Sequence, residues 1–149
     1  MKYMSRSSGF TLIEVMVVLF IIGIMAAIVA PQILGESDNA RLQKAALDIR
    51  QLENTLQMYK LKNSRYPTTE QGLDALVTAP TIEPIPRNYP SDGFIDRIPN
   101  DPWGNPYELM SPGEMGTIDI YSNGPDLQPG TDDDIGNWNM HEYLGNNAG

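Results

Sequence analysis

Residues 9–30 read GFTLIEVMVVLFIIGIMAAIVA. Between Phe10 and Ala30 only Thr11 and Glu14 are clearly polar. An α-helix of that length rises about 30 Å, enough to span the hydrocarbon core of a bilayer. Glu14 is the anomaly, because a carboxylate near the start of a lipid-length helix is costly unless something neutralises it. The segment therefore reads as a membrane anchor and also as an assembly device, with Glu14 as the sign of the second role.

Before it stands MKYMSRSSG, which carries Lys2 and Arg6 and no acid. Basic residues ahead of an apolar helix are retained on the cytoplasmic side, so the rest of the chain should face outward. A cleaved secretory signal would offer a similar start, and residues 26–30 contain an A-x-A-like option. The apolar run is longer than a usual signal core, however, and the helical pattern continues past it. Pro31 breaks or kinks a helix as a rule, and Gly35 loosens one. Yet Leu42, Ala45, Ala46, Ile49, Leu52, Leu56 and Tyr59 recur in steps of three and four, which places them on one face. The pattern predicts one long helix over about 10–62, kinked at Pro31, or else two helices divided there. Its first half would sit in lipid and its second half would pack one stripe on a globular domain.

Beyond it, Asn63-Ser64 ends the helix, and Tyr66 avoids helical geometry because Pro67 follows. Thr68 or Thr69 is placed to cap a short second helix through residue 76 or 77, with Glu70 and Gln71 in its first turn. Residues 79–102 hold Pro80, Pro84, Pro86, Pro90, Pro99 and Pro102, too many for regular structure. Ile82, Ile85, Phe94 and Ile98 should pin this loop to the domain. Residues 101–106 form a turn cluster in which Trp103 reads as a packing anchor. Residues 107–110 and 117–121 alternate like strands, a last strand is expected over about 135–140, and the tail from 144 should fray. The fold class is α+β: a long amino-terminal helix on a small antiparallel sheet. The expected divisions are a leader over 1–9, a transmembrane and assembly helix over 10–30, and an external domain over 31–149.

The 149 residues suffice for one modest core besides the anchor. Without cysteine there is no disulfide, thiolate metal site or cysteine nucleophile. Residues 1–65 carry eight Lys/Arg against five acids, a net of +3, whereas residues 66–149 carry two against fourteen, a net of −12. An acidic domain argues against nucleic acid, which requires a basic face, and permits cations. An enzyme has no support: His141 is alone, no G-x-S-x-G occurs, and no phosphate-binding loop is present. A membrane-anchored, calcium-dependent binding module is the better rival to an assembly subunit.

Two places could carry function. If the chain were cut after Gly9, Phe10 would expose a positive α-amino group about one helical turn from Glu14. Two charges in lipid are tolerable when paired, within one chain or between chains offset along a bundle; otherwise Glu14 lies idle at headgroup level. The second place is SNGPDLQPGTDDDIG, residues 122–136. Its crowded carboxylates repel one another unless solvated or neutralised. Hard oxygen donors on a glycine-bent loop suit Ca²⁺, although the spacing is not that of an EF-hand, and a solvated acidic turn is the alternative.

A glycine and phenylalanine after a short basic leader, then GFTLIE running into an apolar helix, resemble the class III signal of type IV pilins and pseudopilins. YPTTEQGLDALV (66–77), NDPWGNPY (100–107) and IYSNGPDLQPGTDDDIGNW (120–138) are similar to major pseudopilins of type II secretion systems. The likeness covers nearly the whole chain from Gly9 to about Met140. The absence of cysteine sets it apart from adhesive type IV pilins, and those three segments set it apart from minor pseudopilins.

The resemblance implies a pilin-like fold and a precursor held in the bacterial inner membrane by one span, with its domain in the periplasm. A prepilin peptidase would cut between Gly9 and Phe10 and methylate the Phe10 amine. Glu14 would match a neighbouring subunit's amino terminus as a homopolymer, the pseudopilus, grows. Minor pseudopilins, an inner-membrane assembly platform and its ATPase are the further partners implied. By position, the resemblance also implies Ca²⁺ held by the side chains of Asp126, Asp133 and Asp134 and the backbone carbonyls of Asn123 and Thr131, with Asp132 outside the set.

Overall fold

The computed structural model describes residues 9–145, and the side chains of residues 26–36 fall outside that description. The chain divides into two units, residues 1–38 and 39–149. Helix α1 runs Leu12–Asn63, 52 residues, against the expected 10–62, and is assigned as one helix. The expected kink at Pro31 falls in the stretch outside the description.

In the first unit α1 begins with a cap. Glu14 N–H donates to the Thr11 carbonyl at 3.1 Å and to the Thr11 hydroxyl at 3.3 Å. Thr11-x-x-Glu14 has the sequence form of a capping box, which satisfies orphan amides at a helix start. From Leu12 to Met25 the large apolar side chains are exposed. Among the described residues no helix is long and apolar enough to cross a membrane; residues 26–30 of the expected span lie among those whose side chains are outside the description.

In the second unit the apolar stripe of α1 becomes one wall of the core. Ala45, Ala46, Ile49, Leu52, Leu56 and Tyr59 are buried, and Leu42 packs at the edge. Each large member contributes about 1.5–3 kcal/mol through burial. The opposite wall is an antiparallel sheet of β1 (Glu108–Met110), β2 (Asp119–Ser122) and β3 (Ile135–Gly136), in that order. Leu109 pairs with Ile120, and Tyr121 with Gly136. Leu109, Ile118, Ile120 and Ile135 point into the core.

The expected second helix is one turn of 3-10 helix, Leu73–Leu76. Thr68 and Gln71 do cap reciprocally: Thr68 N–H donates to Gln71 Oε1 at 3.1 Å and Gln71 N–H to the Thr68 hydroxyl at 3.2 Å. The turn does not extend into an α-helix because Gly72 sits at φ +60°, outside helical space. The proline-rich loop is pinned, as expected. Phe94 N–H donates to the Leu76 carbonyl at 2.7 Å, and the Phe94 ring packs 5.1 Å from that of Tyr59. Ile82 and Ile85, expected to help, stay 44% and 48% exposed. Their carbonyls are used instead, by Gln71 Nε2 at 2.9 Å and Arg65 at 3.1 Å.

The last strand is shorter than expected, ending at Gly136. Asn137 then continues the sheet edge largely with its side chain. It accepts from Ile120 N–H at 3.2 Å and donates to the Ile118 carbonyl at 3.0 Å. Met140–Leu144, of which Met140 is expected as the strand end and Leu144 as the start of the tail, form the short helix α2.

Candidate functional site

Gly9, Phe10 and Glu14 are all exposed, with Phe10 preceding the first turn of α1. The partial positive charge of a helix amino terminus favours a carboxylate in that turn. Glu14 therefore stands where its charge is tolerated in water, on a helix whose other described side chains up to residue 25 are mostly apolar.

The acidic loop connects β2 to β3, and its two ends meet. Gly124 has φ +64°, and a Cβ there would collide with the Asp133 carbonyl, so only glycine permits this approach. Further along, Leu127 at φ +62° and Gly130 at φ +85° turn the chain back. Backbone amides then orient the acids. Asp126 Oδ1 accepts from Gln128 N–H at 2.8 Å, Asp133 Oδ2 from Asp126 N–H at 3.2 Å, and Asp134 Oδ2 from Gly130 N–H at 2.7 Å.

These contacts direct the three acids at one point, the Thr131 hydroxyl. It lies 2.6 Å from Asp133 Oδ1, 3.4 Å from Asp126 Oδ1 and 3.5 Å from Asp134 Oδ1. A hydroxyl has one proton to donate, so it serves Asp133 and, being neutral, cancels the charge of none of the three carboxylates. The Thr131 hydrogen bond, followed by amide bonds, holds the Asp133 carboxyl below the ordinary carboxylate range. Asn123 presents a buried Oδ1 with no hydrogen-bond partner. The sequence-derived residues Asn123, Asp126, Thr131, Asp133 and Asp134 thus share one loop, and the carboxylates converge. Asp132 is exposed and lines a groove of about 560 Å³ together with Thr131 and Asp134 of that set and with Tyr121 and Trp138. Among the described residues, no three Asp, Glu, His or Cys side chains are arranged as a ready metal-binding group. The loop's donor chemistry fits a hard cation; its side chains are gathered on a hydroxyl.

Sequence reasoning missed two buried acids. Asp119, expected simply as a strand residue, accepts the amides of Glu114, Met115 and Gly116 at 2.6, 2.8 and 2.9 Å and so builds the β1–β2 turn. Asp101 accepts the amides of Trp103 at 3.0 Å and Asn105 at 2.7 Å. The Asp-Pro start of the 101–106 turn was the available signal, since Asp at a turn accepts amides two residues on.

A family model described as "Type II secretion system (T2SS), protein G" matches residues 32–138. The chain belongs to that family. A second model, the prokaryotic N-terminal methylation motif, matches residues 4–30. The type II secretion system core protein G of Aeromonas hydrophila is 60% identical over 138 residues, 93% of this chain and 96% of the relative. That of Escherichia coli K12 is 52% identical over 140 residues, 94% and 97% of the two chains. The crystal structure of the major pseudopilin from the type 2 secretion system of enterohaemorrhagic Escherichia coli matches with a TM-score of 0.69 and 57% identity, covering 72% of this chain and 90% of that one. The chain is accordingly a major pseudopilin, a structural subunit of the pseudopilus used in secretion.

Proposed function

We propose that this pseudopilin is made as an inner-membrane precursor, anchored once through residues 10–30 with its domain in the periplasm. A prepilin peptidase cuts it between Gly9 and Phe10 and methylates the new Phe10 amine. The subunits then leave the bilayer and polymerise helically, Glu14 of one meeting the amino terminus of another. A contact between unlike surfaces that does not close on itself generates such a filament. Growth of the filament helps drive folded proteins across the outer membrane. The ATPase of the assembly platform supplies the energy, and minor pseudopilins are further partners.

The observation that carries this reading is the exposed apolar helix from Leu12, led in by Gly9-Phe10 and bearing Glu14 in its first turn. The methylation motif over residues 4–30 agrees with it. The loop's role in this reading is to hold Ca²⁺, with Asp126, Asp133 and Asp134 as side-chain donors and Asn123 and Thr131 as carbonyl donors. The cation would supply the positive charge that the three converging carboxylates lack. Intact-mass analysis of the protein from membranes tests the maturation step. A chain starting at Phe10 and carrying one added methyl is expected; an intact Met1 or a start after Ala30 rules the reading out.

A further inference from the structure

The two conspicuous sequence motifs of the domain, the 101–106 turn and the acidic loop, are joined by a buried hydrogen-bond chain. Ser122 is fully buried and Asp101 is 5% exposed. The Ser122 hydroxyl donates to Asp101 Oδ2 at 2.6 Å and accepts from Gly124 N–H at 3.2 Å. The other oxygen, Asp101 Oδ1, takes the amides of Trp103 and Asn105. A buried acceptor needs a donor, and the demand of Asp101 Oδ2 fixes which way the serine proton points. The serine lone pair then faces Gly124. The residue between is Asn123, whose peptide is held on one side by Ser122 and on the other by Gly124, itself pressed against the Asp133 carbonyl.

We propose that Asp101 and Ser122 are positioning residues for the cation loop. They touch no ion. They set the Asn123 backbone, and through Gly124 the spacing between the loop's two ends, so that donors from 123 and from 131–134 face one another before an ion arrives. The inference rests on the calcium reading of the loop. The groups that orient metal donors from behind commonly change affinity 10–100-fold when removed. The 101–106 turn, whose Asp101 lies 21 residues before Ser122 in sequence, thereby becomes part of the cation site.

The test is calcium titration of the full chain in detergent micelles, followed by calorimetry, with amide hydrogen exchange measured in calcium-free buffer. Ser122→Ala and Asp101→Asn are compared with Leu61→Ala, a change on the exposed face of α1. The expected result is that Ser122→Ala weakens calcium roughly tenfold or more, with Ser122→Thr restoring part of the loss. Exchange should quicken at residues 123–134 and stay unchanged at 45–59 of α1. Wild-type affinity and loop exchange in both Ser122→Ala and Asp101→Asn would overturn the positioning role while leaving the calcium reading standing. A wild-type chain that takes up no calcium would overturn the calcium reading, and this inference with it. General unfolding, should Ser122→Ala cause it, would quicken exchange in α1 as well; Asp101→Asn, which keeps one acceptor oxygen, then decides the matter by its calcium affinity.

Discussion

Tyr107 shows how much a single side chain does in this domain. It precedes β1, and its hydroxyl donates to Asp48 Oδ2 at 2.9 Å, tying the sheet to a carboxylate on α1 that Lys44 also pairs with. Burial, then the Asp48 charge and hydrogen bond, push the Tyr107 phenol far above its ordinary value of 10.0. The sign follows from linkage: the raised group stabilises the fold fully below the unfolded value and loses that contribution as pH climbs past it. Tyr107→Phe should cost about 1.5–3 kcal/mol at neutral pH, the range for a hydrogen bond to a charged group. It should also flatten the fall in stability above about pH 10. Denaturant unfolding at pH 7 and pH 10.5 checks both, and an equally steep alkaline fall in the variant would mean that another tyrosine dominates. Gly136 makes a complementary point, since a Cβ there would collide with the Trp138 ring, which lies over the β3 backbone. Neither role was visible in the chain as a string of letters, because each depends on what a distant residue places opposite.

Among the elements, α1 and the sheet were legible and the connections were less so. The stripe from Leu42 to Tyr59 needed only a 3.6-residue period, and every member from Ala45 on is buried, with Leu42 half-buried at the edge. Ile118 and Ile120 likewise gave their inward face by alternation. The second helix shrank to a 3-10 turn because one glycine adopted positive φ, which no periodicity reveals. The last strand stopped early because Asn137 could satisfy the edge of β2 with its side chain. In the acidic loop the cluster of acids was legible but its common focus on Thr131 was not, and Asp101 and Asp119 read only as members of a turn and a strand, with no sign of the amides that they accept. Gln71 illustrates what pins a proline-rich segment in place of apolar side chains. Its Nε2 donates to the Ile82 and Pro84 carbonyls at 2.9 and 3.1 Å while its Oε1 caps Thr68. Gln71→Ala should lower stability by about 1–3 kcal/mol and expose residues 79–90 to limited proteolysis. Cleavage there no faster than in the parent would show that the Arg65 bond and the Phe94 packing suffice to hold the loop, with Asn88, whose side chain donates to the Lys62 carbonyl at 3.1 Å.

At the scale of the whole molecule the chain carries two chemistries on one helix. α1 offers exposed apolar side chains from Leu12 to Met25 and a buried stripe from Ala45 to Tyr59. The first set requires a nonpolar environment supplied from outside the chain, either lipid or other copies; the second is satisfied within the domain. Glu14 is the residue whose cost differs between those environments. In a bilayer an unpaired carboxylate costs several kcal/mol unless it reaches the headgroups or a partner. In a bundle of identical helices it can pair with another subunit's amino-terminal charge, and such a pair is specific because removing one partner leaves the other charge buried alone. Glu14→Ala should therefore leave membrane insertion intact, since it removes the only acid from the apolar run, and leave the domain's unfolding unchanged, since Glu14 lies outside the core. Filament yield, measured by shearing and electron microscopy of cells overproducing the subunit, should fall at least tenfold, the effect of about 1.4 kcal/mol on an association constant. Glu14→Gln, which keeps the shape and loses the charge, should fall similarly. Filaments at wild-type yield from both variants would show that the apolar surface alone drives assembly and that the pairing role is wrong; loss in the alanine variant alone would assign Glu14 a hydrogen-bonding part in place of an ionic one.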